Sequence, residues 1–103
     1  MSNRPAASPQ SRPILRLYIA GNGPGARRAL ESRERLIAEA ASVIEVEVVN
    51  ILDYPAEAEK AGILATPTLS DDSSIPPRRL VGDISNIAQV LDYFGYNQKD
   101  ADA

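Results

Sequence analysis

The side chains able to do chemistry in this chain are few, and the missing types narrow the choice as much as the present ones. There is no cysteine and no histidine. That removes disulfide exchange, the usual zinc sites and histidine acid–base catalysis. Three clusters remain. Gly21-Asn22-Gly23-Pro24-Gly25-Ala26 sets glycine at the first and third places and alanine at the sixth, between an apolar run and an amphipathic one. Such a turn can present free main-chain N–H groups to a phosphate at a helix N-terminus. Two features weaken a dinucleotide site. A chain of 103 residues is too short for the paired halves of that fold, and Asn50 and Asp53 only straddle the place where an acidic residue belongs. A glycine-rich turn ahead of a helix is the other reading. Asp71-Asp72 is a pair of carboxylates, but no acid, base or metal ligand stands nearby in sequence, so a solvated loop is expected. Arg78-Arg79, on a strand, would point to opposite faces. They are either two ordinary surface arginines or include one anchor for an acidic partner, a task that suits the planar guanidinium fork.

The elements that must position these residues follow from periodicity. Ile14 to Ala20 reads as a strand with Leu15, Leu17 and Ile19 on one face and Ile14, Arg16 and Tyr18 on the other. Asn22 or Gly23 can cap a helix, and Pro24 suits its first turn, where the missing N–H costs nothing. That helix is expected to run to about Ala41, with Ala26, Ala29, Leu30, Leu36, Ile37 and Ala40 as its apolar stripe. Arg33 interrupts the stripe. It either lies at the margin with its stem on apolar surface or contacts a partner. Val43 to Leu52 is rich in β-branched residues and predicts a second strand, parallel to the first because a crossover helix separates them. Asp53-Tyr54-Pro55 opens a short helix that ends near Gly62. A strand follows Thr66-Pro67, Asp71 to Pro77 forms a hairpin loop, and Leu80-Val81 belongs to a return strand. Ser85 then caps a last helix through Ile87, Val90, Leu91 and Phe94. Residues 1–13 are expected to be a flexible tail, 14–97 the domain and 98–103 a short acidic tail.

The resulting order, βαβαββα, is the thioredoxin-like α/β arrangement: one mixed sheet between helices. Such folds place a proline at the head of the third strand, often after a cis bond, and Pro67 is expected to be that residue. A working thioredoxin also needs Cys-x-x-Cys at the start of its first helix, where this chain has Gly23-Pro24-Gly25-Ala26 and no nucleophile. A net charge of −3 argues against nonspecific nucleic-acid binding. No apolar run approaches the ~20 residues of a membrane span, and no secretory leader is evident, so a cytoplasmic location is expected. Calcium-loop spacing is absent. No metal, cofactor or enzymatic activity is expected.

Taken in order, Leu17 to Asn22, Arg28-Ala29-Leu30, Ile63-Leu64-Ala65-Thr66-Pro67-Thr68-Leu69 and Arg78-Arg79-Leu80-Val81-Gly82-Asp83-Ile84-Ser85 resemble the KaiB family of small clock proteins. The resemblance runs from about Ile14 to Leu91. It implies a non-enzymatic regulator of a clock or timer that binds the KaiC ATPase ring. It also implies sequestration of KaiA where that protein exists, competition with a clock-linked histidine kinase, and self-association as dimer or tetramer. It further implies two folds: a βαββααβ resting form and the thioredoxin-like form, which is the one that binds KaiC. Two packings of one sequence can differ by a few kcal/mol. By position in the family pattern, Arg28, Arg78 and Arg79 are candidate partner contacts. Gly82 and Asp83 are assigned to the switch, because glycine permits backbone angles that other residues resist. The chain departs from the pattern at Gly62, where a lysine is common, at Glu47, where a basic residue is common, and at Arg33, where an apolar residue is usual. The competing readings are a redox-inactive thioredoxin-fold adaptor or sensor-type domain with another partner and, disfavoured, a cysteine-free thioredoxin-fold enzyme.

Overall fold

Residues 13–41 and 43–96 are described by the computed structural model. Apart from Pro13, the tails expected at residues 1–13 and 98–103 lie outside the described residues. The elements are β1 (Ile14–Ile19), α1 (Pro24–Glu39), β2 (Glu45–Asn50), α2 (Pro55–Ala61), β3 (Thr68–Asp71), β4 (Arg78–Val81) and α3 (Ile87–Phe94). This is the βαβαββα order expected of a thioredoxin-like chain. The sheet order is β2-β1-β3-β4. β1 pairs parallel with β2, and the β1–β3 and β3–β4 pairs are antiparallel.

The alternation written into β1 builds the core. Leu15, Leu17 and Ile19 turn to one face and are buried, packed with Ala26, Ala29 and Leu36 of α1 and with Val90, Leu91 and Phe94 of α3. Arg16 and Tyr18 turn to the other face. Tyr18 is nonetheless fully buried, and Arg16 reaches Glu57 at 3.9 Å, which sets the first turn of α2 beside that face. Gly62 closes α2 in the left-handed region, φ +71°, with its N–H on the carbonyl of Glu59.

Several boundaries differ from expectation: β2 ends at Asn50 and β3 takes in Asp71, and three others have a clear local reason. α1 stops at Glu39 because the chain turns at Ala40 and Ala41, the latter at φ 53°. β2 starts at Glu45 because the N–H of Val43 is still tied to the carbonyl of Ala40. α3 is capped by Asn86, not Ser85. The side chain of Asn86 accepts the N–H of Gln89 at 3.2 Å, while the N–H of Ser85 is engaged by Asp83 at 2.9 Å. Thr66-Pro67 is cis, as expected, and Ile75-Pro76 is cis as well.

Leu17 sits at the centre of the core with no exposed surface. Leu17→Ala should lower the unfolding free energy by about 2–5 kcal/mol. Val81→Ala, at a 63 % exposed position, should stay within about 0.5 kcal/mol of the parent. Urea unfolding of the two variants and the parent measures both.

Candidate partner-binding surface

The strand directions gather four connections at one end of the sheet. β1 and β2 run parallel, so the β1–α1 and β2–α2 turns emerge together. β3 runs opposite to β1, so the loop carrying Pro67 enters at that end, and β4 leaves there into Gly82 and Asp83. Main-chain and side-chain bonds lock these loops to one another. The N–H of Gly82 donates to the carbonyl of Pro67 at 2.8 Å. Thr68 Oγ1 donates to the carbonyl of Ala65 at 2.6 Å. Asn50 ties two turns at once. Its Oδ1 accepts the N–H groups of Gly21 (3.1 Å) and Leu52 (3.0 Å), and its Nδ2 donates to the carbonyl of Gly21 at 3.4 Å.

Two clefts flank Pro67 at this end. One is lined by Arg28, Ser32 and Asp83 with Gly25, Pro67 and Ile84. The other follows the start of α1 past Gly23 and Pro24 to Thr66. No hydroxyl, thiol or imidazole stands at the tip of α1, and its N-cap Gly23 offers no side chain. The segments at this end also expose four large apolar side chains: Leu64 is 98 % exposed, Leu52 68 %, Val81 63 % and Tyr54 60 %. Isolated exposed apolar residues are ordinary, whereas several at one end of a sheet make that end a candidate surface.

The arginine candidates separate. Arg28 lies in the cleft with Asp83. Arg78 instead donates from Nη1 to the carbonyl of Tyr93 in α3 at 2.9 Å. Arg79 crosses to the opposite face, where Nε donates to Ser70 Oγ at 3.0 Å and Nη2 stands 3.5 Å from Asp72 Oδ1. Of the Asp71-Asp72 pair, Asp71 departs from the solvated loop expected of it, ending β3, while Asp72 lies exposed in the turn. Asp71 is buried and its Oδ1 accepts from the hydroxyl (2.6 Å) and N–H (3.0 Å) of Ser73. Asp72 accepts from Ser70 Oγ at 2.6 Å and from Tyr18 Oη at 3.5 Å. These carboxylates are consumed in fixing the hairpin. Among the described residues no cluster of acidic side chains could hold a metal ion, and no helix is long and apolar enough to cross a membrane.

Comparison with known proteins places this geometry. The KaiB domain model matches residues 16–94. The chain belongs to the KaiB family. The circadian clock oscillator protein KaiB of Parasynechococcus marenigrum is 45 % identical over 85 residues, covering 82 % of each chain. Among solved structures, the N-terminal domain of SasA from Synechococcus elongatus superposes with a TM-score of 0.63 at 24 % identity, covering 85 % of this chain and 90 % of that one. Chloroplastic thioredoxin z superposes with a TM-score of 0.70 at 16 % identity, covering 87 % and 81 %. The fold of this KaiB-family chain is therefore thioredoxin-like, in a clock-protein family.

Within this family member, Asn50 and the Tyr18–Ser70–Asp72–Arg79 network escaped sequence reasoning. The signal for Asn50 is a lone amide ending a β-branched run opposite a glycine turn. The network has no comparable local signal, because its members come from β1, β3, β4 and the hairpin. Asp83 is fully exposed, yet its carboxyl is held below the usual aspartate value. The causes are the Ser85 hydroxyl, then the Ser85 N–H, and more weakly the Arg28 charge. A depressed carboxyl contributes its stabilisation above the ordinary aspartate range and loses it as pH falls through the lowered value. Ser85→Ala should therefore raise the Asp83 midpoint towards the ordinary range without abolishing the shift, since the N–H bond remains. Side-chain carboxyl NMR titration of parent and variant reads this directly, and an unchanged midpoint would contradict the hydroxyl as chief cause.

Proposed function

We propose that this KaiB-family protein is a non-enzymatic regulator that docks in its thioredoxin-like state on a KaiC-type ATPase ring. The observation that carries the reading is a thioredoxin-like frame, in a KaiB-family chain, whose loop end offers exposed apolar side chains and, in Arg28, a guanidinium with no hydrogen bond among the described residues, in place of redox chemistry. Arg28 is the leading contact, because no internal bond occupies its guanidinium among the described residues and charge-assisted forks bind carboxylates strongly. Arg78 and Arg79 remain candidates, but each would give up an internal bond to reach a partner.

The other parts of the reading follow from the same family. The shared fold with the SasA N-terminal domain supports competition between a kinase sensor domain and this chain for one ring. KaiA is a further partner where it exists, and self-association accompanies a resting fold. Gly82, at φ +102°, and Asp83 form the joint between β4 and the segment leading to α3. The backbone angle at Gly82 is one that L side chains resist. These two residues are therefore assigned to the balance between folds.

Binding kinetics on an immobilised KaiC-type ring, with NMR populations recorded for each variant, test the reading. Arg28→Ala should weaken binding about tenfold, the size of a lost charge-assisted bond, and leave populations unchanged. Gly82→Ala should lower the thioredoxin-like population and reduce apparent affinity in the same proportion. If the parent binds no such ring in any nucleotide state, the proposal fails and an adaptor with another partner takes its place.

A further inference from the structure

β2 forms one margin of the sheet, and an edge strand presents main-chain N–H and C=O groups that another chain can pair with. Alternate residues of a parallel strand turn those groups toward the neighbour. The N–H of Glu45 donates to the carbonyl of Pro13 at 2.9 Å and that of Ile51 to Ile19 at 2.8 Å. Glu45, Glu47 and Val49 therefore face β1, while Val46, Val48 and Asn50 face outward. Both end carbonyls of this outward row are occupied. That of Asn50 accepts the N–H groups of Asp53 and Tyr54, each at 3.0 Å, as the chain turns into α2. That of Val46 accepts Nε of Arg33 at 2.8 Å.

The Arg33 bond is not local. The side chain crosses from α1 to the sheet margin. Its stem lies in a groove with Ile37, Ile44, Val46 and Val48, and Nη1 is braced by Glu34 Oε2 at 2.7 Å. Arg35, two residues on, is exposed and has no partner among the described residues, so arginine at this end of α1 does not need such a bond. Of the outward residues only Val48 keeps both main-chain groups open among the described residues.

We propose that Arg33 guards the β2 edge, occupying the carbonyl that an incoming strand would need and thereby keeping foreign strands from extending the sheet on this side. Strand addition draws its affinity from consecutive main-chain bonds. With Val46 engaged at one end and Asn50 at the other, a newcomer finds a single open residue between them. Arginine suits the task because its long stem packs on the apolar groove while its rigid fork serves carbonyl and carboxylate together.

The probe is a short fluorescent peptide of alternating valine and lysine, whose valines can line up with Val46 and Val48 and whose lysines can face the Glu45–Glu47 row. Anisotropy gives its affinity for the full chain, and amide exchange locates it. Arg33→Ala and Arg33→Leu should each bind about tenfold more tightly than the parent, the gain from one freed main-chain bond, with new protection at Val46 and Val48. Arg35→Ala removes the same charge without touching β2 and should bind like the parent. The proposal is overturned if folded Arg33 variants bind no more tightly, or if Arg35→Ala gains as much, which would make the effect one of charge alone. It is also overturned in the parent itself if the Nε–H of Arg33 exchanges with water as fast as that of Arg35.

Discussion

β1 must be buried on both faces while pairing on both edges, and the remaining elements are arranged around that requirement. Its Leu15, Leu17 and Ile19 need the helices of one layer, and its Tyr18 is covered on the other side. Strand periodicity makes the assignment strict: a slip of one residue would send Tyr18 into the helical core and Leu17 towards the polar face. The parallel partner β2 then requires a crossover, which α1 supplies with 16 residues. The antiparallel partner β3 brings Pro67 to the tip of α1. The gathering of these loops at one end of the molecule is a consequence of these directions.

The polar face under β1 shows how charged side chains are spent. Glu47, Arg16, Ser70 and Arg79 stand in one register across all four strands. Arg16 meets Glu47 at 3.1 Å, an exposed pair that contributes little by itself. Arg79 meets Ser70 and Asp72, and Tyr18 Oη reaches Asp72. The arrangement gives partners to groups in a partly covered layer where unpaired polar atoms are costly. It also engages Arg79 and Asp72, two of the charged side chains that the sequence offered as candidates. Arg28 and the apolar residues of the loop end stand outside this network, and the proposed docking draws on them.

The two halves of the chain differ in how their elements are held. α1 has 16 residues and β1 and β2 six each, whereas β3 and β4 have four each and α3 eight. Short elements rely on tertiary contacts more than on their own propensity. The proposed switch at Gly82 and Asp83 lies in that second half, between the last strand and the last helix. The Asn50 clamp on the Gly21 turn belongs to the first half and holds it as one unit.

Element type and order, and the inward faces of β1, α1 and α3, were legible in the sequence, because period-two and helical patterns are local and strong in those three elements. Gly62 as the end of α2 and Pro67 ahead of β3 were legible for the same reason: glycine and proline restrict the backbone wherever they stand. The family was legible in the matched blocks from Leu17 to Ser85. The α3 cap was misplaced by one residue, since Ser85 and Asn86 are both good caps and only the competing bond from Asp83 decides between them. Asp71 was read as part of a solvated loop because its burial depends on the pairing of β3 with β4, and the partners of the exposed Asp72 lie 54 and 7 residues away in Tyr18 and Arg79. Arg33 left two roles open in the sequence. Its placement on the carbonyl of Val46 was decided by the packing of α1 beside the sheet margin. Local backbone preference is written residue by residue, whereas the partner of a long polar side chain is settled only when distant strands meet.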